Sequence, residues 1–235
     1  MRNVMRTALL LAALAVLPSA GWCAARMAAV VVFAEGDVQL VRAGSEKAEA
    51  LAVNTGLEPG DAVKTGPGAK ASLVTKGGAE IRINENSTFE VPGKNSLRET
   101  YELKIGQVWS RMLHKMGRLS VRTPSAVCAI RGTEADIEQK DIMTVKVYEG
   151  HVELKNALGR QALKAGQMST ASAAAAPAAP KQMTQADMGK WQEGINVKDI
   201  GRYLQVVDEG GQKKLKLVID KGGQTRQVDI NLKKK

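Results

Sequence analysis

Aromatic side chains are scarce in this chain of 235 residues: three Trp, three Tyr and two Phe. Binding of single-stranded nucleic acid without sequence preference rests on several exposed rings that stack on bases, so this class has little to work with here. A sugar platform built from stacked rings is disfavoured for the same reason, since Tyr101, Trp109, Tyr148 and Trp191 lie far apart in sequence. Histidine is limited to His114 and His151, and cysteine to Cys23 and Cys128. No carboxylate, cysteine or third histidine shares a ligand spacing with the two histidines, so no zinc site is expected. Asp61, Asp136 and Asp141 match no calcium-loop spacing. There is no G-x-S-x-G elbow. Gly60–Gly68 is rich in glycine but lacks the Lys-Ser/Thr ending and the following helix of a phosphate loop. These absences leave no catalytic, cofactor-binding or metal-binding residue to nominate, and no enzyme activity or cofactor is expected.

A membrane-spanning run is also missing. The apolar stretch Ala8–Leu17 follows Arg2 and Arg6. As a helix it would reach about 15 Å, half of a hydrocarbon core of about 30 Å. It reads as an export signal, with small residues Cys23-Ala24-Ala25 at its end and cleavage expected after Ala25. Trp22 before Cys23 argues against a lipid-modified N-terminus, where a small residue is wanted. Cleavage leaves Cys128 as the one cysteine, so no intrachain disulfide can form. It also removes two arginines and no acid, taking the formal charge from +10 to +8. The expected address is the periplasm or the cell exterior, and nucleic acid is not an expected partner. An anionic glycan or an anionic membrane surface suits the charge, although a solvated basic surface that aids solubility is the simpler account.

What the chain has in quantity is short extended segments broken by glycine. Arg26–Phe33 is valine-rich. Ala69–Val74, Ala79–Ile83 and Ser87–Val91 read as further strands, and Pro92–Arg98 and Met112–Gly117 as polar loops. In Arg118–Leu154 the alternation is strongest. Leu119 and Val121 alternate with polar neighbours until Thr123-Pro124 stops the run. Ala126–Ile130 is apolar on both faces, as in a strand buried on both sides. After Gly132, Thr133, Ala135 and Ile137 point one way and Glu134, Asp136 and Glu138 the other. Gly132 is placed where a bulge or kink is expected. Arg131 is expected to pair with a carboxylate of the following strand. One theme recurs five times, an apolar residue, two spacers, Gly, a polar residue and a small or apolar one, around Gly36, Gly60, Gly106, Gly150 and Gly166. Its uneven spacing excludes a fixed-period repeat but suggests one unit reused, a strand bent at glycine into the next.

The segments VRTPSAVCAIRGTEADIEQ and TVKVYEGHVEL, with GDVQLV at Gly36–Val41, the Leu57–Ile83 stretch and LKIGQVW at Leu103–Trp109, resemble the FecR domain of bacterial envelope proteins, over roughly residues 33–155. The resemblance implies a twisted, solenoid-like all-β stack with no enzymatic chemistry. Its motif residues here are Thr123, Pro124, Arg131, Gly132, Thr133, Glu149 and Gly150, expected to be structural. The best-known members cross the inner membrane, with a cytoplasmic part that controls a sigma factor and a periplasmic FecR domain that receives a signal from an outer-membrane transporter. Nothing lies before the export signal in this chain, so only the sensing half is expected.

Beyond the domain, Ala171–Pro180 is an Ala/Pro run that reads as an extended linker. Thr184–Asp199 reads as a helix, with Thr184 as cap, Asp187 three residues on, and Met188, Trp191 and Ile195 on one face. Gly189 and Gly194 weaken it. Arg202–Val207, Lys213–Ile219 and Thr225–Leu232 follow as strands joined by turns at Asp208–Gly211 and Asp220–Gly223, ahead of Lys233–Lys235. Three strands need a cover, and the Trp191 helix is the candidate. The expected organisation is a signal peptide (1–25), a FecR-like β domain (26–170), a linker (171–183), and a helix plus three-stranded meander (184–235). The fold class is all-β, a solenoid-like or sandwich stack. The expected function is a non-enzymatic exported module that docks an envelope protein and senses a signal; attachment to cell-wall or surface polysaccharide and a structural envelope role are the alternatives.

Overall fold

The computed structural model describes residues 27–91, 100–113, 118–189, 191–197, 200–209, 212–221 and 224–231. The segment 1–25, expected to be a signal peptide, most of both polar loops (with His114), the glycine pairs of the two C-terminal turns and Lys233–Lys235 lie outside the described residues.

Among the described residues eighteen strands follow in order. They are β1 Ala29–Glu35, β2 Val38–Val41, β3 Ala48–Ala50, β4 Gly56–Leu57, β5 Ala62–Thr65, β6 Lys70–Thr75, β7 Ala79–Ile83, β8 Thr88–Glu90 and β9 Thr100–Met112. Next come β10 Arg118–Arg122, β11 Val127–Gln139, β12 Met143–Lys155, β13 Arg160–Lys164, β14 Gln167–Ala171 and β15 Lys181–Gln182. Last are β16 Leu204–Glu209, β17 Gln212–Lys221 and β18 Gln224–Asn231.

The first fifteen are hydrogen-bonded into one continuous sheet, and their pairings resolve it into two layers. In the first layer the order is β4-β1-β6-β7-β9-β11-β12-β14-β15. The second runs β3-β2-β5-β8-β9-β10-β11-β12-β13. The three long strands β9, β11 and β12 belong to both. Each bends midway, so β11 pairs with β10 up to Arg131 and with β9 from Glu134. One apolar cluster fills the space between the layers, drawing Val31, Leu73, Ile81 and Ile137 from the first and Leu40, Phe89, Leu119 and Leu154 from the second. Alternation explains the partition: each strand turns every other residue inward.

All five glycines of the recurring theme have positive φ: Gly36 77°, Gly60 93°, Gly106 103°, Gly150 75° and Gly166 82°. Each lies where the chain passes from one layer to the other, as the strand pairings place them. Glycine is needed because a side chain at such φ is strained. At Gly106 space is also lacking, since a Cβ would stand 2.5 Å from Ser87 Cα. The theme is therefore the layer crossing of a flattened coil, which is the solenoid-like stack the sequence suggests.

The C-terminal strands β16, β17 and β18 form a separate three-stranded antiparallel sheet with the expected connectivity. The expected helix over Thr184–Asp199 is absent. Short 3-10 turns stand there instead, at Gln185–Asp187, Trp191–Gly194 and Ile200–Arg202. The cap chemistry survives on its own: the Asp187 carboxylate accepts the Thr184 N–H at 2.8 Å and its hydroxyl at 2.7 Å. Those bonds hold the Asp187 carboxyl below its usual range. Continuation fails because nucleating a helix is costly, Gly189 and Gly194 favour the coil, and the sheet beneath takes this segment's polar groups. The meander is covered by strands instead of a helix. Tyr203 and Leu217 pack with Val30, Val32 and Val74 on the outer side of β1 and β6.

Two further expectations change. Ala126–Ile130 is not buried on both sides: Cys128 and Ile130 face the core, while Val127 and Ala129 are half-buried on the outer side of the second layer. Small apolar residues on that side mimic a second buried face in the sequence. The Ala/Pro segment is extended but hydrogen-bonded to the body: Asn156 Nδ2 donates to Ser172 O at 2.9 Å and Ala175 O at 2.6 Å, and Ser169 Oγ to Ala178 O at 2.6 Å.

Candidate functional site

The outer face of the first layer carries a polar network over five adjacent strands. Two cross-strand rows build it. One runs Ser72, Arg82, Trp109, Asp136, Lys146, and the next Val74, Glu80, Arg111, Glu134. Opposite charges directly across a pair stabilise each other, and the second row alternates them.

Glu80 is fully buried, with Arg82 Nε at 2.7 Å and Arg111 Nη2 at 2.8 Å on its two oxygens. The same two guanidinium groups flank the Trp109 ring, their central carbons 4.7 Å and 5.5 Å from its centroid, where the face of the ring attracts cations. Trp109 Nε1 donates to Glu134 Oε1 at 2.9 Å. Asp136 is 2% exposed. It accepts Gln107 Nε2 at 2.8 Å on one oxygen and Trp191 Nε1 at 2.7 Å on the other. Gln107 is oriented in turn by Asn84 Nδ2 at 2.8 Å.

Gly189 and Trp191–Ile195 lie across this network as its cover. Besides the Trp191 indole, Lys70 Nζ donates to Trp191 O at 3.5 Å, Tyr148 Oη to Gly189 O at 3.3 Å, and Arg82 to Gln192 O. Burial under this segment pushes the Asp136 carboxyl up to about 6; the Gln107 and Trp191 hydrogen bonds and Lys146 oppose that, while Glu138 adds to it. Burial likewise raises the Tyr148 phenol, helped by the charges of Asp136 and Glu134. Both Asp136 oxygens accept from neutral donors. The arrangement holds a polypeptide by its backbone carbonyls and one indole.

The residues singled out in the sequence fall elsewhere. Thr123 and Pro124 make the β10–β11 turn, where Thr123 Oγ1 accepts the N–H groups of Ser125 and Ala126 at 3.2 Å each. Beside them a depression of about 220 Å³ is lined by Glu102, Leu103, Lys104 and Arg122. Gly132, φ +60°, and Gly150 face each other across β11 and β12. Gly132 and Thr133 there oppose Gly150 alone, which is a bulge, and Arg131 pairs in register with His151, Glu134 with Glu149.

Arg131 does not pair with a following carboxylate. It is exposed and makes no ion pair among the described residues. The bulge carries the chain to the other layer, so Glu134, Asp136 and Glu138 face the opposite side of the molecule. There Trp109, Gln107 with Trp191, and Lys140 (2.6 Å) engage them. Cys128 is free, fully buried and desolvated, which raises its thiol pKa and keeps it inert.

Sequence reasoning thus missed Glu80, Arg82, Trp109, Asp136 and Trp191 as one group. Strand register brings the first four together, and the packing of the C-terminal segment adds Trp191. A faint signal was available in a tryptophan flanked by two glycines, which a stable helix could not use. Among the described residues no group of three His, Cys, Asp or Glu could hold a metal ion. No described helix is long and apolar enough to cross a membrane.

Residues 61–153 match the family model described as "FecR protein". Two solved structures of "a putative anti-sigma factor from Parabacteroides distasonis ATCC 8503", at 1.65 and 2.50 Å, are similar at 16% identity and a TM-score of 0.45. In each the alignment covers 52% of this chain and 59% of that one, so the chain spans about three fifths of that protein's length. No curated protein matches.

Proposed function

We propose, on the match of residues 61–153 to the FecR family model, that this chain is a non-enzymatic, exported module that docks a protein partner in the cell envelope and takes part in signal sensing. The family is a regulatory one, so a binding role is the natural starting point. The observation that carries the reading is the covered polar face. Lys70, Arg82, Asp136 and Tyr148 hold Gly189, Trp191 and Gln192 of an irregular stretch through backbone carbonyls and an indole. A surface that recognises backbone carbonyls in one segment can recognise them in another, with the intrachain segment exchanging for the partner. Local opening of weakly packed segments supplies the access. The export signal ending near Ala25 places the module outside the cytoplasm in this reading.

A photo-crosslinking residue at Arg111, which is exposed at the rim of the network, tests it in the intact envelope. One discrete crosslinked protein is expected, more abundant when Trp191→Ala loosens the cover. A crosslinker at Lys47, exposed outside the network, is expected not to yield it. Identical products from both positions, or none from either, would remove the docking reading.

A further inference from the structure

The outer face of the second layer has a different chemistry. Strands β10, β11, β12 and β13 lie side by side, and register sets their outward residues in three rows. The first is Arg118, Arg131, His151, Lys164; the second Ser120, Ala129, Glu153, Ala162; the third Arg122, Val127, Lys155, Arg160. All six Arg and Lys side chains are exposed. None makes an ion pair among the described residues. With Glu153 as the one acid in these rows, the rows carry five net positive charges, half of the chain's formal +10, and Glu102 on β9 stands in register beside Arg122 at their end.

Such crowding is costly. Like charges directly opposite on neighbouring strands repel, yet Arg118 and Arg131 are register partners. Elsewhere the same protein pairs its charges, as at Glu80 with Arg82 and Arg111, and Arg42 with Asp61. The two cationic rows stand apart across a middle row that is mostly small, Ser120, Ala129 and Ala162, which leaves a shallow trough between them. Neighbouring strands are about 4.8 Å apart, so along the two cationic rows the charges stand one or two strand spacings apart, with His151 and Val127 in the gaps.

We propose that this trough binds a linear acidic polysaccharide with an anionic group on successive sugars. Sheet twist turns each strand by about 20–25° from the last, so each row curls as it crosses four strands. A flexible linear polyanion can follow that ramp, whereas a planar lipid surface meets only part of it. The rows carry no aromatic and no large apolar side chain beyond Val127, and so lack the anchors that concentrate affinity at protein interfaces. Strand addition is excluded at β10, β11 and β12, whose ladders are paired on both sides, and is left only to the outer edge of β13. This surface lies on the other layer from the covered polar face and is independent of it.

The test measures binding of the purified full-length protein to sodium alginate, a polymer with one carboxylate per sugar, at about 50 mM salt, where surface charges are only partly screened. The triple variant Arg118→Gln, Arg131→Gln, Lys164→Gln is expected to bind about 100-fold more weakly, since each cation facing an anionic surface contributes about a factor of five. A control with the same charge change, Lys47→Gln, Lys64→Gln, Lys181→Gln, all exposed and outside the rows, is expected to stay within about threefold of the original. Glu153→Gln, which removes the one acid, is expected to tighten binding. Equal losses in the two triple variants would reduce the effect to net charge and overturn the site. Absence of alginate binding, or tighter binding to phosphatidylglycerol vesicles or to poly-L-glutamate, would overturn the polysaccharide assignment.

Discussion

A single buried carboxylate illustrates how far burial outweighs residue type. Asp136 alternates with core residues in the sequence and looks like one more solvated acid. Beneath Trp191 it is nearly sealed, and desolvation raises its pKa to about 6 from an ordinary 3.8. The native state then binds a proton more tightly than the unfolded chain between these values, so this group's contribution to stability falls as pH rises through that window and is flat above it. Relative to Asp136→Asn, the unmodified protein is expected to lose about 2 kcal/mol of unfolding free energy between pH 4.5 and 7. Urea denaturation of both proteins across that range measures it. A difference that stays constant or grows with pH would mean that the Gln107 and Trp191 hydrogen bonds outweigh burial.

Among the elements, the bent strands β9, β11 and β12 decide the architecture, and their bends depend on glycine. Gly106→Ala is expected to cost about 2–4 kcal/mol, combining strain at positive φ with the contact against Ser87. Gly132→Val is expected to cost a comparable amount for its backbone strain. Arg131→Ala, one residue away, is expected to change stability by less than about 0.5 kcal/mol, because its guanidinium is exposed and makes no ion pair among the described residues. Denaturant titration of the three variants separates the backbone account from the charge account. A large loss for Arg131→Ala would restore a structural ion pair at that position. The glycine theme was legible in the sequence because a residue type and a backbone conformation correspond almost one to one. The partner of Arg131 was not, because the bulge beside it sends the nearest acids to the far side of the sheet.

Over the whole molecule, two faces of one flattened coil carry opposite solutions to exposed polar surface. The first layer is covered by the chain's own C-terminal region, and the second is left open and cationic. Removing residues 184–235 is expected to expose Val30, Val32 and Val74 together with Asp136. A loss of about 4.5–9 kcal/mol follows from three uncovered valines, and self-association through the bared face is expected. Light scattering and thermal denaturation check both; a monomeric truncated chain of unchanged stability would show that the cover contributes nothing.

Strand content, the glycine crossings, the turn at Thr123-Pro124 and the three-stranded end could all be taken from the order of residues. Each depends on local sterics or on alternation, which neighbouring positions are enough to specify. The cover over Asp136, the absence of a helix around Trp191, the isolation of Arg131 and the three rows on the second layer came only with tertiary structure. They depend on which strands lie side by side and in what register, a property of residues far apart in the chain and brought together by burying a common core.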